Sequence, residues 1–149
     1  MTIVTPVAQA DTLNYERDVP DLLRAMVAVE TAIAAHGLDR NLAHLMKLRA
    51  SQINRCAFCV KMHAREARQD GESDARLDRL VVFAQVSDYS DREKAALAWT
   101  EALTVLDPKA DLAPPRARLR QHFTDEEIGV LTSAVAMINL WNRIQISRH

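Results

Sequence analysis

Two cysteines and a histidine stand three and four residues apart in the run Arg55-Cys56-Ala57-Phe58-Cys59-Val60-Lys61-Met62-His63. In an α-helix such positions project from one face, so a helix starting near Cys56 puts both sulfurs and the imidazole in a single stripe. That stripe is equipped for thiol redox chemistry, because a thiolate is the nucleophile toward a peroxide oxygen or a disulfide. Cys56 falls in the first turn, where the positive end of the helix dipole stabilises a thiolate. Cys59 instead has His63 one turn below it to accept or relay its proton. Spacing leaves open which thiol attacks. Whichever does becomes a sulfenic acid, and its neighbour can condense with it to a disulfide that an external dithiol must reduce.

Three other uses of these residues compete. Structural zinc takes four ligands, generally from separated pieces of chain, and no second Cys/His pair accompanies this one, so no metal and no cofactor is expected. A thioredoxin-type pair requires a preceding strand and a βαβ pattern, and the sequence has neither. Two inert cysteines packed in a core are the bland alternative, and His63 in register weighs against it.

The elements that must position the stripe read as helices. Glycine occurs only three times in 149 residues. Val19-Pro20 opens a first helix, since proline is well placed in a first turn. Leu22, Met26, Val29 and Ile33 recur at helical spacing before Gly37 stops it. A second helix is expected from about Arg40 to Gln52 with Leu42, Leu45, Met46 and Leu48 inward, and a third from near Cys56 to before Gly71. A short helix over Ala75 to Val82 presents Leu77, Leu80 and Val81. Ser90 to Glu93 forms a capping box and opens a helix that buries Ala96, Leu97, Ala98, Leu103 and Leu106 before Pro108. Pro114-Pro115 starts a brief helix reaching Phe123. A second capping box, Thr124 to Glu127, starts the last helix, which is apolar on more than one face and is therefore expected to make subunit contacts, with a central core helix of a monomer as the alternative.

The fold class is thus all-α: one domain over residues 1–149, with a core of about 20–147 and about seven helices. Nineteen basic and 20 acidic residues give a net charge of -1, so neither nucleic acid nor an anionic membrane is an expected partner. No run approaches the ~18 to 20 apolar residues of a membrane span. Met1 to Leu13 lacks a basic region and carries Asp11, so no secretory signal is expected. These features point to the cytoplasm, where a structural disulfide is rare.

The sequence resembles the alkylhydroperoxidase D-like (AhpD-like) branch of the carboxymuconolactone decarboxylase superfamily. The residues that carry the likeness are Leu48 to Asn54 leading into Cys56-x-x-Cys59-x-x-x-His63, then Glu66-Ala67-Arg68, Glu93 to Thr104, and Ile138-Asn139-x-Trp141-Asn142-Arg143. The resemblance implies an all-α domain that assembles into trimers or hexamers and reduces organic hydroperoxides, with an external dithiol as reductant. It also implies that Cys59 is the peroxidatic thiol and Cys56 the resolving one. Two alternatives stand beside it: a cofactor-free lyase acting on a small lactone, with His63 as general base, and a non-enzymatic redox-sensing module.

The sequence departs from that pattern at two places. AhpD-like chains carry a relay glutamate twelve residues before the first cysteine, and here that position is His44. A histidine can still pass protons near neutral pH. Glu101, in an otherwise apolar helix, or Glu30 could supply the carboxylate instead, and His44 could equally be an ordinary surface residue. Relatives also commonly have glycine where this chain has Arg55, which either lowers a thiol pKa by its charge or points to solvent. Trp99 and Trp141 are read as core or subunit-contact aromatics, and Asn142 and Arg143 as bracing an interface or capping a neighbouring helix, with a direct substrate role as the lesser alternative. His36, His122 and His149 have no role visible in the sequence.

Overall fold

The structure, a computed structural model, describes residues 12–148. The reading of residues 1–11 as carrying no leader, and His149, lie outside the described residues. Among those described there are eight α-helices, one 3₁₀ segment and no strand. In order they are α1 (Tyr15–Asp18), α2 (Pro20–Ala35), α3 (Arg40–Ile53), α4 (Ala57–Gln69), α5 (Asp74–Asp78), a 3₁₀ turn over Leu80–Gln85, α6 (Asp91–Val105), α7 (Ala113–Arg120) and α8 (Asp125–Arg148). The all-α expectation holds. No described helix is long and apolar enough to cross a membrane.

Two elements differ from the expected seven. Asn14 accepts the Arg17 N–H at 2.8 Å and so caps the extra turn α1. The helix expected over Ala75 to Val82 divides into α5 and the 3₁₀ segment, with Val82 leaving helical geometry at φ −123°. At three residues per turn, Leu80 and Phe83 share one side. Both are buried with Leu77, while Val81, expected inward, turns outward.

Helix α3 is the hub, packed on α4, α6 and α8. Its Leu42, Leu45, Met46 and Leu48 are all buried, as their spacing predicts. Each such side chain contributes on the order of 1.5–3 kcal/mol when fully removed from water. Both capping boxes form: Ser90 with Glu93 and Thr124 with Glu127 exchange reciprocal bonds of 2.7–3.2 Å. Helix α6 buries Ala96 and Leu97, and Ala98 and Leu103 lie at the core's edge. Leu106, expected inside, is exposed because it caps α6 in the left-handed conformation (φ 52°) with its N–H on Ala102.

Helix α8 spends most of its apolar surface within the chain, burying Leu131, Ala134, Val135, Met137, Ile138 and Ile144. Trp99 is likewise a core residue, and its indole N–H donates to Thr132 Oγ1 at 3.0 Å. Helix α2 is the opposite case. It packs on α8 yet buries no residue, and Leu22, Val27 and Val29 are exposed.

Candidate active site

The cysteines sit where two helices meet end to end. α3 stops at Ile53, Asn54 caps it, and Arg55 takes a left-handed conformation (φ 58°). The Arg55 N–H then bonds Gln52 O at 3.2 Å and the Cys56 N–H bonds Ser51 O at 3.1 Å. This pair of bonds is the Schellman arrangement, which ordinarily takes glycine at the left-handed position. Arg55 occupies it with its side chain exposed to solvent.

A polar network ties this turn to α8. The Asn54 amide donates to the side-chain oxygens of Asn139 and Asn142, both at 2.9 Å. Asn142 in turn donates to Ser51 Oγ at 2.9 Å, and Asn139 donates to Thr104 Oγ1 at 3.1 Å. Asn142 and Ser51 are completely buried. Asn142 therefore braces the end of a neighbouring helix, one of the roles expected for it. Arg143 is exposed and donates to the Asn139 carbonyl one turn back.

Cys56 follows as the N-cap of α4, one position outside the helix that was expected to include it. Its sulfur accepts the Cys59 N–H at 3.3 Å, so it faces the electropositive end directly. Cys56 and Cys59 form a disulfide with a Cα–Cα separation of 5.3 Å, and both are almost fully buried. Four residues on, His63 is also buried.

Further along the same face come Glu66 and Asp70. His63 Nδ1 lies 3.1 Å from Glu66 Oε2. The same carboxylate oxygen is 3.9 Å from His44 Nδ1, and His44 Nε2 bonds Asp70 Oδ2 at 2.6 Å. Arg40 holds Asp70 from the solvent side at 3.0 Å. Burial holds the His63 imidazole below the usual histidine range; the Glu66 bond and charge oppose that shift, while Lys47 and His44 add to it. Burial thereby favours the neutral form of the His63 ring. With Nδ1–H donating to Glu66, its Nε2 keeps the lone pair.

A pocket of about 280 Å³ opens against this stripe. Cys59, Met62, His63 and Glu66 of α4 form one wall, Glu30 and Lys47 the second, and Ile138, Trp141 and Gln145 of α8 the third. Cys56 is not in its lining. Glu30 accepts from the Trp141 indole at 2.9 Å and lies 3.6 Å from the Lys47 ammonium. Trp141 is thus a pocket wall rather than a core residue.

The structure accordingly brings Cys59, His63 and Glu30 to one cavity and sets His44 at its edge through Glu66. Glu101 is not brought there. Its carboxylate pairs with Arg49 at 3.0 Å, because the half-buried guanidinium draws it to the α3–α6 contact. Sequence reasoning passed over Glu66 and Asp70 as site residues. Their signal was present, since residues 59, 63, 66 and 70 run down one helix face. His36, unassigned from sequence, lies 3.1 Å from Glu126 on the far end of α8.

Comparison with known proteins bears on this arrangement. The model of the carboxymuconolactone decarboxylase family matches residues 20–102. The uncharacterized protein YdfG of Bacillus subtilis is 33% identical over 135 residues, covering 91% of this chain and 92% of YdfG. A crystal structure from Agrobacterium tumefaciens, of a protein of unknown function with a suggested role as the antioxidant defence protein AhpD, superposes with a TM-score of 0.85 at 39% identity. That match covers 92% of this chain and 94% of the other. An AhpD-core, peroxidase-related protein from Ralstonia eutropha, itself uncharacterized, gives 0.72 at 25% identity, over 84% and 67% of the two chains.

Fold and cysteine pair together define an all-helical thiol–disulfide domain of the AhpD type. The chain belongs to the carboxymuconolactone decarboxylase family, in its AhpD-like branch.

Proposed function

We propose that the protein reduces organic hydroperoxides with its own cysteine pair. Cys59, relieved of its proton by His63, attacks one peroxide oxygen. The O–O bond breaks, and the alkoxide leaves as an alcohol after His63 returns the proton. Cys59 is then a sulfenic acid. The Cys56 thiolate attacks its sulfur, water departs, and the Cys56–Cys59 disulfide forms. The thiol pair has given two electrons to the peroxide, and an external dithiol restores them by exchange.

The observation that carries this reading is that Cys59 lines the pocket beside His63 while Cys56 stands behind it as helix cap. Met62, Ile138 and Trp141 offer the apolar wall that an organic substituent needs. Glu66 supports the base by fixing its tautomer, much as a carboxylate orients histidine in hydrolase triads. The test is chemical trapping. Cys56→Ser protein, reduced and treated with cumene hydroperoxide, should accumulate a sulfenic acid at Cys59 that dimedone labels. No labelling at Cys59, or a wild type that forms no intramolecular disulfide under the same treatment, would refute the reading.

The same reading makes the protein a homo-oligomer, a trimer or hexamer, working in the cytoplasm, where dithiol reductants are available. Support for assembly comes from α2, whose Leu22, Val27 and Val29 lie outside the core in a helix of this length, a surface that apolar contact with another copy would cover. Light scattering gives the subunit number, and a monomer at micromolar concentration would contradict assembly.

A further inference from the structure

We infer that His44, His63 and Glu66 form a three-ligand site for a divalent cation of the zinc class. One donor atom from each lies within 4.8 Å of the other two. Zinc holds nitrogen and oxygen donors at about 2.0–2.2 Å, so tetrahedral donors sit about 3.4 Å apart. Once its proton moves from Nδ1 to Nε2, His63 offers a donor 3.1 Å from Glu66 Oε2, and His44 Nδ1 lies 3.9 Å from the same oxygen, distances that fall on either side of that spacing. Closing round an ion therefore takes side-chain shifts of about 1 Å.

The donors are also arranged as such a site requires. His63 and Glu66 are one turn apart on α4, and His44 comes from α3, which packs against it. Two imidazoles and one carboxylate with an open fourth position are the donor set of many hydrolytic zinc centres. Asp70 supplies the outer support. Its carboxylate bonds His44 Nε2 at 2.6 Å, which in the metal-bound state would hold the ring's proton on Nε2 and leave Nδ1 to the ion. Arg40 holds Asp70 in turn at 3.0 Å. The Lys47 ammonium opposes a cation at His63, and the Glu30 carboxylate 3.6 Å from that ammonium offsets it.

This ligand set differs from the cysteine-based one that the sequence argued against. With Cys56 and Cys59 joined in a disulfide, neither sulfur is a thiolate ligand, and the site uses neither. Binding therefore does not rest on the proposed peroxidase reading. An occupied site would, however, withdraw His63 from proton transfer. On that reading a zinc-class ion is an inhibitor of the thiol chemistry.

The experiment is a Co²⁺ titration of the oxidised, chelator-treated protein, read by visible d–d absorption, with Zn²⁺ affinity from competition against a chromophoric chelator. The expected result is one ion per chain with the intense absorption of a low-coordinate site. Glu66→Gln and His44→Ala should abolish saturable uptake, and Asp70→Asn should weaken it about 10–100-fold. His36→Ala, far from the site, should leave it unchanged. Circular dichroism establishes that each variant is folded, and the isosteric Glu66→Gln decides the matter if His44→Ala is not. No stoichiometric uptake by the wild type, or uptake that survives Glu66→Gln, would overturn the assignment.

Discussion

The sulfur of Cys56 lies 3.3 Å from the backbone nitrogen of Cys59, so the residue that caps helix α4 is also the disulfide partner of the residue whose N–H it receives. Helix start and redox pair are one structure. A thiolate at Cys56 would accept that N–H more strongly than a thiol, and the helix end thereby favours the thiolate form of Cys56.

This double role separates two substitutions that are equivalent for disulfide chemistry. Both Cys56→Ser and Cys56→Ala abolish the bridge, but serine is a good N-cap and alanine a poor one. Under reducing conditions Cys56→Ala should be less stable than Cys56→Ser by about 1 kcal/mol. Urea unfolding of the two variants checks this, and equal midpoints would contradict the capping role.

Glu66 is placed as a positioning residue that acts through His63. Glu66→Gln should slow oxidation of the reduced protein by about tenfold or more, with the effect in the rate constant rather than in the hydroperoxide concentration giving half-maximal rate. Glu101→Gln should leave that rate unchanged and lower stability instead, since it removes the negative charge that faces the half-buried Arg49. Stopped-flow kinetics and thermal melts distinguish the two.

The asparagine network sets the turn that carries Cys56. Asn142 is fully buried and bonds both Asn54 and Ser51. Asn142→Ala removes one buried partner from each, leaving Asn54 only Asn139 and Ser51 only the Lys47 carbonyl, and should cost about 2–3 kcal/mol in urea unfolding. A loss within experimental error would mean that the network contributes nothing net.

Arg55 adopts φ 58° in a position suited to glycine. Arg55→Gly should raise stability by up to about 1 kcal/mol, the left-handed penalty relieved. Because the Arg55 side chain is exposed, thiol reactivity should not change with it. A tenfold drop in thiol oxidation rate would instead assign the guanidinium an electrostatic role.

Much of the site was legible in sequence because helix periodicity is local. The spacing of Cys56, Cys59 and His63 places them on one face whatever the rest of the chain does, and the buried side of α3 follows from Leu42, Leu45 and Leu48 alone. Partner choice was not legible in this way. Glu101, Glu30 and Glu66 were all available carboxylates, and the packing of α3 against α4 decides that Glu66 meets both histidines while Arg49 takes Glu101. The same applies to Leu106 and Val81, whose apolar character says inside and whose backbone, a left-handed cap in one case and a 3₁₀ turn in the other, puts them outside. Arg55 shows the reverse. Its departure from glycine was visible in the sequence, but the φ angle that gives the departure its meaning required coordinates.

Whether the Cys59 sulfur is the atom that meets the peroxide is read from a single turnover. Reduced wild-type and Cys59→Ser proteins are mixed with excess cumene hydroperoxide, without added dithiol, and alcohol formation is followed with time. The expected result is one equivalent of alcohol per wild-type chain together with loss of both free thiols, and no alcohol from Cys59→Ser. Alcohol released by Cys59→Ser at the wild-type rate would contradict it.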